Sequence, residues 1–161
     1  MKRQRGFTLV EIVIVMGMMS ILYMLSTQSL FRGIRSATLS EVTNQLHRDM
    51  RELQFRAMQG KASQSGATVD YSIRFESDRY IFYPGSVYVS ENTENRVVPL
   101  DSSMQFTDIS IPNQTIIFAR LSGDIRNFTS GFDSVTLSDT SLQESIRIRV
   151  NERGVVFISR M

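Results

Sequence analysis

The chain has 161 residues, 42% hydrophobic and 21% charged, an ordinary globular balance with room for one domain and a short appendage. It holds no cysteine, which excludes disulfide staples and thiol chemistry. The formal net charge of +2 invites a nucleic-acid reading, but three of the 18 basic residues, Lys2, Arg3 and Arg5, lie in the first six positions; the other 15 face 16 acids, a net of −1, so global charge gives no argument for DNA binding.

Residues 1–6 form a short basic leader, and the apolar run follows it. A secretory signal peptide has the opposite order, with its cleavage site after the apolar segment. A cut after Gly6 would leave the apolar run on the mature protein as its new N-terminus. Phe7 to Leu25 is about 19 residues, roughly 28 Å as a helix, which matches a hydrocarbon core of about 30 Å. With Lys2, Arg3 and Arg5 before it and Arg32 and Arg35 well after, the positive-inside rule places the leader in the cytoplasm and the remainder outside. Glu11 is the one acid in the run. A carboxylate within lipid costs about 2.5 to 3.5 kcal/mol on insertion scales, so it calls for a cationic partner.

The hexapeptide Gly6-Phe7-Thr8-Leu9-Val10-Glu11 resembles the G-F-T-L-x-E signature of the type IV pilin and type II secretion pseudopilin superfamily, without a gap. The resemblance implies that a prepilin peptidase cuts between Gly6 and Phe7 and that the new Phe7 amine is N-methylated. It implies that Glu11, the fifth mature residue, guides assembly, and pairing with the Phe7 amine of a neighbouring subunit would offset the desolvation of both charges. The implied partners are the prepilin peptidase, other pilin or pseudopilin subunits and an inner-membrane assembly platform. The implied location is the bacterial inner membrane as a single-pass anchor with a periplasmic globular domain, and then a pilus or pseudopilus filament.

Leu30, Ile34, Leu39, Val42, Leu46, Met50, Leu53 and Ala57 recur mostly three to five residues apart, with charged residues between them, as in an amphipathic helix. Gly60 is well placed to end it, and residues 61–66 read as the exit loop. No proline precedes Pro84, whereas many type IV pilins kink this helix at prolines; Gly17, Gly33 and the polar cluster 26–29 are the soft points.

After Gly66 the pattern alternates. Val69, Tyr71, Ile73 and Phe75 read as one strand, the Glu76-Ser77-Asp78 turn leads to a second at residues 80–83, and further strands are expected at 86–89, 96–100, 104–111, 115–121, 134–137, 144–150 and 155–159. Asn151-Glu152-Arg153-Gly154 reads as a hairpin connection. No helix-length pattern recurs, so a strand-helix-strand parallel sheet is not expected. The expected fold is α+β: a leader at 1–6, a transmembrane assembly helix at 7–29, an amphipathic helix at 30–60 and an antiparallel β domain at 61–161.

The apolar strand ending at Gly123, the short strand after it and the final hairpin with Gly154 resemble the GspH/FimT-type minor pseudopilins. That resemblance implies a structural subunit of a type II secretion pseudopilus, or alternatively a FimT-like minor type IV pilin for pilus assembly or for DNA binding in natural transformation. Arg147 and Arg149 fall on one face of their strand, with Arg153 in the turn and Arg160 near the end, four cations that could grip phosphates. Glu144 and Glu152 lie close by, and alternating Arg and Ile is also what a half-exposed strand looks like; the solvated-face reading is favoured over DNA contact.

Other chemistry is set aside. His47 has no cysteine partners and sits on the charged part of a helix, so a surface role is favoured over metal ligation. Met16, Met18, Met19 and Met24 are read as packing groups in a helix bundle. Asp101, Asp108, Asp124 and Asp139 sit in turns without EF-hand spacing. No Walker loop, G-x-S-x-G elbow or H-E-x-x-H pair occurs, so no catalytic site, metal or cofactor is expected.

Overall fold

The structure, a computed structural model, describes residues 9–60, 62, 66 and 68–161, and the side chains of all of these except 25–37. The cleavage pair Gly6 and Phe7 lies outside them. One helix, α1 (Leu9–Met58), is followed by eight strands: β1 (Tyr71–Phe75), β2 (Arg79–Pro84), β3 (Arg96–Pro99), β4 (Met104–Ile109), β5 (Thr115–Phe118), β6 (Ser134–Asp139), β7 (Glu144–Val150) and β8 (Val156–Arg160). This is the expected α+β, pilin-like arrangement of helix and antiparallel strands. The chain divides into two compact units, Met1–Ala37 and Thr38–Met161.

In the second unit, α1 is built from strong helix formers and has no Gly or Pro between Thr38 and Met58. Its stripe of Leu39, Thr43, Leu46, Met50, Leu53 and Ala57, spaced alternately by four and three, is buried. Thr43 is the polar member that the apolar pattern missed; its hydroxyl donates to the Leu39 carbonyl at 2.9 Å, which lets it sit inside without an orphaned group. Gly60, at φ 61°, takes the left-handed conformation that ends the helix, and its N–H donates to Ala57 O at 3.0 Å.

The strands form two antiparallel four-stranded sheets, ordered β3-β2-β1-β5 and β4-β6-β7-β8. One core serves both. Ile73, Phe75 and Phe82 from the first sheet and Phe106, Leu137 and Ile148 from the second belong to the same buried cluster as the helix stripe. Phe75 and Phe106 join the sheets edge to face, with ring centroids 5.3 Å apart.

Several expected boundaries shift. No strand forms at 86–89: β3 takes the free side of β2, so the ladder has no position for it. Gly85, at φ 99°, turns the chain aside; Val87 stays 74% exposed and Tyr88 folds back onto Tyr83, ring centroids 5.3 Å apart. β4 stops at Ile109, short of Ile111, because a 3-10 turn starting at Pro112 takes over. β5 stops at Phe118, short of Leu121, because Ala119 N–H turns to Asp124 O and Leu121 N–H to the helix carbonyl of Ala57.

Gln54 and Asp49 on α1 tie it to the strands and loops. Gln54 Nε2 donates to Gly123 O at 3.0 Å and to Arg153 O at 2.8 Å, clamping two turns distant in sequence. Both turns carry a glycine at positive φ, and a Cβ on Gly154 would come 2.5 Å from Gln54 Nε2. Asp49 Oδ2 accepts the hydroxyl of buried Tyr80 at 2.9 Å.

Gln54→Leu removes both bonds and should cost about 0.5 to 1.5 kcal/mol in denaturant unfolding; an unchanged midpoint would dismiss the clamp. Burial, and then the bond to Asp49, push the Tyr80 phenol above its ordinary pKa of 10.0. A raised folded pKa means that this stabilisation is present in full below about pH 10 and is lost as pH rises beyond it. Unfolding free energy measured across that range should fall less steeply for Tyr80→Phe than for the parent chain, and equal slopes would remove Tyr80 as a source.

Candidate functional site

The first unit contributes the start of α1. Glu11 lies near the start of the described part of α1. From Leu9 to Met24 every described apolar side chain is exposed, from Leu9 at 81% to Ile12 at 43%. A helix apolar on all sides needs lipid or other helices around it. Ser20 donates to Met16 O at 2.8 Å, so its hydroxyl adds no unsatisfied group to that surface. Among the described residues no helix is long and apolar enough to cross a membrane; the expected run from Phe7 to Leu25 starts and ends outside the described side chains.

The four arginines do not converge. Arg147 pairs across the sheet with Thr136 and Ser159, and Arg149 with Ser134 and Phe157, so the two share the outer face of β7, opposite the buried Ile146, Ile148 and Val150. Arg160 pairs with Ile146 and therefore lies on the inner face, where its guanidinium donates to Ser40 on α1 at 2.5 Å. Arg153 sits in the turn beyond Val150. Arg147 approaches Asp108 at 3.9 Å and Arg149 approaches Asp133 at 3.7 Å. These counter-charges come from β4, two strands away, and from the loop before β6, positions that the strand's own sequence gave no sign of.

A recess of about 300 Å³ lies beside α1 and the end of β2, floored by Leu53, Tyr71 and Phe82. Its charged rim is largely engaged within the protein: Arg56 pairs with Glu52, Asp49 accepts from Tyr80, and the Arg96 guanidinium lies 5.8 Å from the Phe82 ring centroid. Among the described residues no three His, Asp or Glu side chains group as metal ligands. Burial and the Arg51 charge hold the His47 imidazole below its ordinary pKa, which disfavours its cationic form.

A family model described as the prokaryotic N-terminal methylation motif matches residues 1–22. No curated protein and no solved structure gives a significant match to the chain. The motif implies processing by a prepilin peptidase, anchoring in the inner membrane and later assembly into a filament, the work of a structural subunit and not of an enzyme. The methylation motif at residues 1–22 is that of the type IV pilin and pseudopilin superfamily, and the arrangement of helix and antiparallel sheets is pilin-like.

Proposed function

We propose that this chain is a minor pseudopilin of the GspH/FimT type, a structural subunit of a type II secretion pseudopilus. The observation that carries the reading is the uninterrupted Gly6-Phe7-Thr8-Leu9-Val10-Glu11 signature, with the basic leader before it and the apolar run after it. The layout adds support: one N-terminal helix, then strands alone, ending in a hairpin whose turn carries Gly154 at φ 73°. In this reading residues 1–6 are removed, 7–29 form the transmembrane assembly helix, 30–60 lead into the globular part, and 61–161 form it. Glu11 meets the N-methylated amine of Phe7 on the next subunit, because burying each charge alone in an apolar bundle costs more than burying the pair.

The N-terminal mass of the protein from membranes of cells with and without the prepilin peptidase tests this directly. A peptidase-dependent form beginning at N-methylated Phe7 is expected, and an intact leader in both strains would overturn the reading. Glu11→Ala should be processed normally yet be largely lost from sheared filaments; normal filament incorporation would refute the charge pairing. Deleting the gene should abolish export of secreted enzymes, and a loss of DNA uptake with secretion intact would transfer the chain to a type IV pilus.

That second use, a FimT-like minor pilin that touches DNA, is favoured by one feature, the pair Arg147 and Arg149 on a common outer face. Replacing both with Ala should then weaken DNA binding by the full chain in detergent and lower the slope of log affinity against log salt by up to about 2. An unchanged affinity and slope would take these two residues out of any DNA contact.

A further inference from the structure

The four strand edges of the described sheets are unequal. β5 is closed by Asn127, whose side chain accepts from Ile117 N–H at 3.1 Å and donates to Thr115 O at 2.6 Å, with Arg126 N–H bonding Ile117 O beside it. β4 is bulged between Phe106 and Asp108, and the turn before β2 covers it, with Phe106 N–H donating to Ser77 O at 2.9 Å. β3 is four residues long and ends in Pro99, which has no N–H to offer. Each is a device that keeps an edge from pairing with another chain.

β8 has none of them. It is the outermost strand of its sheet, with no proline, lysine or bulge; its one charged residue, Arg160, is turned inward and held by Ser40 at the strand's end, and Phe157, Ile158 and Met161 beside or within it are 54%, 42% and 62% exposed. The phase of its ladder is fixed by two bonds that flank it, Met161 N–H to Ser145 O and Asn151 N–H to Val155 O, both 3.1 Å. Alternation then turns the main-chain groups of Phe157 and Ser159 toward β7, and those of Val156, Ile158 and Arg160 away from it.

We infer that β8 is a self-pairing edge, which joins antiparallel to β8 of a second copy about a two-fold axis at Ile158. In that register Ile158 meets its own mate and Val156 meets Arg160 of the other copy, three hydrogen-bonded positions that give six bonds when each exchanges two. Between them Phe157 lies against Ser159 of the mate, and Val155 against Met161. A large ring beside a small hydroxyl packs, apolar residues face apolar ones, and no two like charges are opposed. The strand is thus complementary to itself as an isologous contact requires. The inference is independent of the filament reading, since it needs only the folded β unit.

The absence of cysteine makes the test clean. Paired Cα atoms at a hydrogen-bonded position lie about 5.5 Å apart, within disulfide reach. Full-length Ile158→Cys in detergent, mildly oxidised, should run as a disulfide-linked dimer on non-reducing gels. Val87→Cys, at a still more exposed position on the loop after β2, should stay monomeric and so reports chance collisions within a micelle. Val156→Pro removes an outward N–H at the first position of the strand, a place that tolerates proline, and added to Ile158→Cys it should cut the dimer at least tenfold with the circular dichroism spectrum unchanged. A monomer from Ile158→Cys, equal dimer from Val87→Cys, or undiminished dimer with Val156→Pro would each overturn the proposal.

Discussion

The stripe from Leu39 to Ala57 is the constraint on which the β unit depends. Two sheets of four short strands have no shared ladder, and neither can bury its inner face alone. The helix supplies six side chains at alternating spacings of four and three, and residues from both sheets close on them as one cluster. Fully burying a Leu or Met side chain stabilises by about 1.5 to 3 kcal/mol, so the stripe contributes several times the strength of any single polar tie in the unit. The polar ties set direction. Gln54 fixes the turns at Gly123 and Arg153, Asp49 fixes Tyr80, and Ser40 receives Arg160 near the end of the chain. Each leaves the helix from beside the stripe, so the rotation that buries Leu46 also aims these groups.

The elements that sequence reading recovered are those whose signal is local. A stripe at helical period, a glycine needing positive φ at position 60, and strands that alternate Ile with Arg all write their environment into a few consecutive residues. The stretch at 86–89 failed for a non-local reason. Val87 and Val89 alternate as a strand would, but whether a ladder position exists beside β2 is decided by residues 96–99, which occupy it. Thr43 went unread because its hydroxyl is satisfied by the backbone one turn back, a bond that makes a polar residue behave as an apolar one.

The candidate sites divide in the same way. The processing and assembly residues Gly6, Phe7 and Glu11 are contiguous, so their chemistry can be read directly in the sequence. The arginines are not, because their disposition depends on register. Arg147 and Arg149 share a face through the period of β7, but Arg160 reaches the opposite face through the pairing of β8 with β7, which sets it level with Ile146. A shift of one residue in that pairing would have put all three together.

The outer face of the second sheet also explains an oddity of its burial. Thr136 and Ser134 are only 3% and 9% exposed although they lie on the face away from the core. Their cross-strand partners are Arg147 and Arg149, whose stems lie over them on the way to Asp108 and Asp133. The covering is incomplete in its bonding, since Thr136 Oγ1 and Arg147 Nε are both buried without a partner among the described residues. An anion approaching this face meets two guanidiniums already near carboxylates, and the carboxylates repel it as the guanidiniums attract it. Binding there must draw Arg147 or Arg149 off the hydroxyl it shelters, and the water that then reaches Thr136 or Ser134 offsets part of that cost. The face is set by packing first, and any affinity it has for phosphate is what remains after that packing is disturbed.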